Sequence, residues 1–238
     1  MEAARDRDGE SRRGAGSSLP QAIESLRDAL AGPLPGTASH GLVMPPGLPR
    51  RAIPAGAEYQ KAAVLLALHP GGDGGTDSFR FPLIRRPDGI LHHPGQISLP
   101  GGRLDECEEP RVCALREAWE EVGIDPSEVE VLGRLTPIAI PVTLYEVEAF
   151  VGWIPRPPRF RLQEEEVAEL LSADPDRLAV EGPTLFVERV RDGGSFRFPA
   201  YDVAGWKVWG ATALLLSEFL EIWRARVRRA MPPGGRNA

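Results

Sequence analysis

Glu117, Glu120 and Glu121 crowd into one short stretch of residues 92–124, HHPGQISLPGGRLDECEEPRVCALREAWEEVGI. Residues three and four apart are neighbours on a helix, and like charges there cost a few tenths of a kcal/mol per pair. A solvated helix face usually mixes signs, yet here only Arg116 offers local compensation. The plain alternative is an ordinary solvent-facing acidic strip. A divalent cation resolves the repulsion better, because clustered carboxylate oxygens are hard ligands that suit Mg²⁺ or Mn²⁺. Mg²⁺ keeps several waters and shares its sphere with substrate phosphates. Leu99-Pro100-Gly101-Gly102 precedes the carboxylates and offers bare backbone that can approach a ligand or lend a carbonyl. The chemistry implied is metal-assisted attack of water on a phosphoanhydride.

These groups need a scaffold. Pro110 suits the first helical position and Gly123 the residue just past the last, while Asp125-Pro126 blocks continuation, so a helix is predicted over 110–122. At helical pitch Val112, Leu115, Trp119 and Val122 fall within an arc of about 80° and predict its core face, with the carboxylates opposite. Strands are expected at 62–68, 79–86, 96–99, 128–135 and 144–154. Residues 164–171 fit a short helix or a strand entry equally well. Asp192-Gly193-Gly194 between 185–190 and 195–198 signals a hairpin. Ile23, Leu26 and Leu30 predict a helix over 20–31 ending at Gly32, and 209–227 reads as a long amphipathic helix. Strands interleaved with helices predict one α/β domain over 55–230. Before it come a disordered leader (1–18) and a helix with a Pro/Gly-rich connection (19–54); a flexible tail follows (231–238).

Gly102, Glu108, Arg116, Glu117, Ala118, Glu120, Glu121, Gly123 and Ile124 stand in the register of the Nudix signature: Gly, five residues, Glu, seven residues, Arg-Glu, apolar, any, Glu-Glu, any, Gly, apolar. The chain thus resembles the Nudix hydrolases. The resemblance implies an α/β/α sandwich with a mixed β-sheet. It also implies that Glu117, Glu120 and Glu121 bind Mg²⁺ or Mn²⁺, with Glu117 as an alternative base for water. Arg116 would hold Glu117 in place, Gly101 would offer its carbonyl to the metal, and Glu108 would assist directly or through water. A further carboxylate is expected from a later segment, with Glu166 chosen from EEEVAEL.

Outside the signature, HPGQISLPGGRLD, LTPIAIPVTLYEVEAFVGWI, EEEVAEL and KVWGATALLLSEFLEIW are similar to the coenzyme A pyrophosphatase branch. That resemblance implies hydrolysis of coenzyme A or acyl-coenzyme A to 4′-phosphopantetheine (or its acyl form) and adenosine 3′,5′-bisphosphate. Arg86, Gly95, Pro100, Gly101 and Gly102 fit the branch pattern. Pro87, Leu91 and Leu99 depart from it, Leu91 standing where an arginine is expected. Arg86, Arg85, Arg103 and Gln96 are the expected substrate contacts, with His92 and His93 as further compensation. The alternatives are another nucleoside diphosphate derivative such as ADP-ribose or NADH, or a nucleotide-binding module without turnover.

The rest of the sequence agrees. Hydrophobic residues make up 42% of the 238 and charged ones 26%, and the net charge of −6 disfavours a nucleic-acid or membrane-surface partner. Cys107 and Cys113 are expected to be reduced thiols of a cytoplasmic protein. The 209–227 helix leaves a homodimer open.

Overall fold

The computed structural model describes residues 19–48, 56, 58–71, 78–89, 94–191 and 193–227. In chain order the elements are α1 (Gln21–Ala31), a 3₁₀ turn (Gly36–Leu42), β1 (Gln60–Pro70), β2 (Phe79–Arg85), β3 (Ile97–Ser98), β4 (Gly101–Arg103), α2 (Pro110–Val122), a 3₁₀ turn (Pro126–Glu128), β5 (Glu130–Arg134), β6 (Ile138–Ile140), β7 (Tyr145–Trp153), β8 (Glu169–Ala173), α3 (Pro175–Glu181), β9 (Leu185–Arg191), β10 (Gly194–Val203), β11 (Trp206–Val208), α4 (Gly210–Ile222) and a π-type turn (Trp223–Val227).

β1 is the spine of a mixed sheet. It runs parallel to β7 from Gln60↔Tyr145 to Leu68↔Trp153, and antiparallel to β4 and β2. β5 and β6 extend the sheet beyond β7, while β3 and β8 flank β2. A strand covered on both faces reads as a continuous apolar run. Accordingly Leu66 and Leu68 enter one core while Ala63, Leu65 and Ala67 enter the other. α2 closes the second face. α1 and α4 close the first, with Ile23, Leu26 and Leu30 of α1 in the same core as Leu216 and Phe219 of α4. The fold is an α/β/α sandwich around a mixed sheet, as expected. β9, β10 and β11 form a separate antiparallel sheet, and the hairpin is the one signalled at 192–194.

Two expectations are corrected. The face of α2 that packs inward carries Cys113, Ala114, Ala118, Glu121 and Val122. Val112 and Trp119 point outward, about half exposed, so the helix is rolled by roughly a third of a turn from the predicted orientation. Small side chains let α2 lie close to the sheet, and that closeness brings its carboxylates to the glycine loop. The C-terminal helix is not amphipathic in the predicted sense: Ser217 and Glu218 are buried, and the α-helix ends at Ile222. Glu218 is tolerated because the N–H of Gly36 and the N–H and hydroxyl of Thr136 all donate to it, at 2.7–2.9 Å.

Strands β4, β6 and β11 and helix α3 were absent from the sequence expectations; β4, β6 and β11 are only three residues long, too short to show a period. Segment 164–171 resolves as a turn entering β8.

Candidate active site

α2 starts at Pro110 and ends at Gly123 as predicted. Gly123 adopts φ 74°, the left-handed conformation a helix stop favours. The chain then returns over this end. Arg161 N–H donates to the Val122 carbonyl (2.9 Å) and Gln163 N–H to the Glu121 carbonyl (3.0 Å). These bonds satisfy carbonyls that a helix end leaves open, and the same turn delivers Glu166. No residue-type signal marks this strap, which is made by backbone alone.

Opposite lies the glycine loop, where β4 pairs with β1. A Cβ on Gly101 would stand 2.3 Å from the Ala63 carbonyl oxygen, and one on Gly102 would stand 2.5 Å from the Glu117 carboxyl carbon. The first glycine is therefore needed for the sheet, the second for the carboxylate. Cys113 donates from α2 to the carbonyls of Gly102 and Arg103 and ties loop to helix. Burial, with Glu108 and Glu117 nearby, pushes the Cys113 thiol up to about 12, so it stays a neutral donor.

Arg116 is the hub of the exposed side. Its Nε and Nη2 grip both oxygens of Glu108 at 2.8 and 2.9 Å, and its Nη1 reaches Glu117 at 2.9 Å and Glu120 at 3.1 Å. A bidentate arginine–carboxylate pair fixes orientation as well as charge. The Arg116 hydrogen bonds hold the Glu108 carboxyl down at about 2. Glu108, expected to assist the metal, thus spends both oxygens on Arg116 and the Asp105 N–H. Glu120 also turns to Arg116, with its side chain 52% exposed.

Glu117, Glu121 and Glu166 converge instead, each offering a ligand atom within 4.8 Å of the others. Glu121 is 1% exposed; its Oε2 accepts the Gly101 N–H at 2.8 Å. Its Oε1 is buried with no hydrogen-bond partner, and Arg86 stands 3.6 Å away, beyond hydrogen-bond reach. Burial pushes the Glu121 carboxyl up to about 8 despite Gly101 and Arg86, and burial also raises Glu117 against the pull of Arg116. An orphaned, buried carboxylate oxygen beside two further carboxylates is the environment a divalent cation fits.

Of the expected substrate contacts, Arg86 reaches the cluster. Arg85 points away, near Glu169 (3.6 Å) and Asp88 (3.1 Å). Arg103 is exposed, with no ion pair among the described residues. The Gln96 carbonyl accepts the Arg86 N–H. Leu91, His92 and His93 lie outside the described residues.

A family model described as NUDIX domain matches residues 60–181. The chain belongs to the Nudix family. A relative named Uncharacterized Nudix hydrolase NudL, from Escherichia coli (strain K12), is 36% identical over 148 residues, spanning 58% of this chain and 77% of the relative. Its namesake from Shigella boydii serotype 18 gives the same figures. Among solved structures, a MutT protein from Methanosarcina mazei Go1 is 18% identical over 72% of this chain and 99% of that one, with a TM-score of 0.46. The protein is an enzyme, a Nudix hydrolase acting on a pyrophosphate linkage, and Nudix hydrolases generally need a divalent metal ion. Among the described residues no helix is long and apolar enough to cross a membrane.

Proposed function

We propose that the enzyme hydrolyses the pyrophosphate of coenzyme A or acyl-coenzyme A, releasing adenosine 3′,5′-bisphosphate and 4′-phosphopantetheine or its acyl form. The observation that carries the chemistry is the convergence of Glu117, Glu121 and Glu166, with one Glu121 oxygen left unpaired beside Arg86. The segments similar to the coenzyme A pyrophosphatase branch, with Arg86 and Gly101-Gly102 in their expected places, support the substrate.

Glu117, Glu121 and Glu166, with the Gly101 carbonyl, are the groups that would hold Mg²⁺ or Mn²⁺. When bound, the metal supplies charge neutralisation at the phosphates and a lowered pKa for water. The protein's own contribution is preorganisation. Arg116 holds one oxygen of Glu117 and leaves the other facing the cluster. Gly101 does the same for Glu121. In the alternative arrangement Glu121 and Glu166 would hold the metal and Glu117, raised by burial, would take the proton from the attacking water. Arg86 faces the cluster and neutralises phosphate charge. Glu120 contributes at its rim, and Glu108 acts through Arg116.

The test is incubation with coenzyme A and Mg²⁺ or Mn²⁺, resolved by chromatography, beside Glu117→Gln. Metal-dependent release of adenosine 3′,5′-bisphosphate is expected, reduced about 10²–10⁴-fold in the variant. Cleavage of ADP-ribose or NADH with coenzyme A untouched would overturn the substrate and leave the chemistry standing.

A further inference from the structure

Glu166 reaches the carboxylate cluster on the strap that returns over the end of α2. Every residue from Arg161 to Glu166 is exposed, so burial holds none of the side chains in that stretch. The backbone of Gln163 links the strap to the cluster. Its N–H donates to the Glu121 carbonyl at 3.0 Å, and its carbonyl accepts the N–H of Glu166 at 3.0 Å and of Val167 at 2.8 Å. Two of the three converging carboxylates, Glu121 and Glu166, are therefore joined through one residue. Their spacing is only as well defined as the place of Gln163.

Gln163 is placed in turn from the two ends of the strap. Downstream, Val167 is buried in the core beneath α2, and upstream Phe160 packs against that same core. The Phe160 ring meets the ring of His69 edge-on, with 5.9 Å between centroids and 65° between planes. His69 is a firm support. It is buried near the end of β1 and donates from Nδ1 to the Pro70 carbonyl at 2.8 Å. Next to Phe160, Arg161 gives its N–H to the Val122 carbonyl at 2.9 Å. Its backbone lies so close to the helix end that a Cβ on Gly123 would stand 3.1 Å from the Arg161 nitrogen. A strap pressed this tightly against α2 has little slack, so a shift of Phe160 carries Arg161 and Gln163 with it. On the approach to Phe160, Pro155, Pro157 and Pro158 fix backbone angles and stiffen the chain.

We propose that Phe160 is a positioning residue of the metal site: supported by His69, it sets the strap and, through Gln163, the spacing of Glu121 and Glu166. The inference rests on Glu117, Glu121 and Glu166 being the groups that hold the metal, and it adds a residue that acts on them from outside the cluster. Three carboxylates brought together repel one another. Glu166, alone on an exposed segment, is the member that swings away when the strap is loosened. Groups that orient metal ligands from behind contribute about 10–100-fold to metal affinity.

The experiment measures Mn²⁺ binding to the full chain without substrate, from the electron paramagnetic resonance signal of the free ion. Wild type is compared with Phe160→Ala, Phe160→Leu, Glu166→Gln and the double variant Phe160→Ala/Glu166→Gln. Glu218→Ala serves as a destabilised control remote from the cluster. Phe160→Ala is expected to weaken Mn²⁺ binding about tenfold, and Phe160→Leu, which refills the apolar contact, to recover most of the loss. Glu218→Ala should bind like wild type at a temperature where it remains folded. Without the Glu166 carboxylate there is little left to position, so the double variant should bind no more than about twofold worse than Glu166→Gln. If Glu166→Gln binds Mn²⁺ as tightly as wild type, Glu166 leaves the metal site and the positioning falls with it. A weakened Glu166→Gln beside an unchanged Phe160→Ala would overturn the positioning alone. So would losses that simply add in the double variant, a leucine variant as impaired as the alanine one, or a Glu218→Ala as weakened as Phe160→Ala, which would trace the effect to stability. With no substrate present, none of these outcomes depends on coenzyme A.

Discussion

Glu121 is the residue on which the proposed metal site and folding meet. It sits inside the protein with one oxygen bonded to a glycine N–H and the other unpaired. Its folded carboxyl lies near 8, above the ordinary value of 4.5. Folding therefore favours the protonated form. That stability is fully present below about pH 4.5 and is lost as pH rises through about 8; Glu117 shifts in the same direction. In a chelating buffer, the melting temperature should fall between roughly pH 5 and pH 9. Glu121→Gln, which mimics the protonated group, should flatten that fall while abolishing metal-dependent turnover. Mg²⁺ or Mn²⁺ should restore the wild type alone at the alkaline end. A wild-type profile as flat as the variant's would mean that the carboxylate is not desolvated as the structure shows. The two cysteines offer a simpler contrast. Cys107 is exposed, whereas the buried Cys113 thiol is held near 12 and donates to the glycine loop. A thiol reagent at about pH 8 should modify one site quickly in the folded protein and the second only on unfolding. Mass spectrometry of the labelled peptide identifies which.

The orientation of α2 shows what could and could not be read in advance. Its limits were legible because Pro110 and Gly123 are local signals, each tied to one backbone position. Its core face was not. The apolar arc of Val112, Leu115 and Trp119 pointed one way, but the helix turns Ala114, Ala118 and Glu121 inward. Periodicity weighs hydrophobicity and is blind to a function that needs a buried acid. In the same way, Glu166 was legible as one acidic residue of several, but the strap that carries it is made of backbone bonds to Glu121 and Val122 and leaves no mark in the sequence. The rolled helix makes its own prediction. Trp119→Ala should cost less than about 1 kcal/mol in urea unfolding, as an exposed site does. Ala118→Leu, at 0% exposure, should cost about 1–3 kcal/mol through overpacking and should also disturb the carboxylates. The reverse order would restore the predicted face.

At the scale of the whole molecule, the matched region 60–181 does not cover its own sheet. The face opposite α2 is closed by α1 from before that region and α4 from after it, which share one core. α1 lies so close that a Cβ on Gly133 of β5 would stand 2.7 Å from the Leu30 Cβ. Glu218 fastens these distant parts together, reaching from α4 to Gly36 beyond α1 and to Thr136 between β5 and β6. Its charge is buried without a partner cation within salt-bridge distance among the described residues, so three donors alone hold it. Glu218→Ala would leave those donors facing apolar surroundings, at about 1–3 kcal/mol for each buried group left unsatisfied. A loss of roughly 3 kcal/mol is expected in urea unfolding, shared between the two segments that lose their anchor. The carboxylate cluster lies across the sheet, against α2, and Glu218 contacts none of its members. Turnover per folded molecule should therefore stay near wild type at temperatures where the variant remains folded. Proteolysis should now cut first within 32–48, where the chain has lost its hold on α4. A stable variant, resistant in that segment, would show that α1 docks by its apolar face alone. A folded variant with collapsed turnover would show instead that the clasp reaches the active site through the sheet.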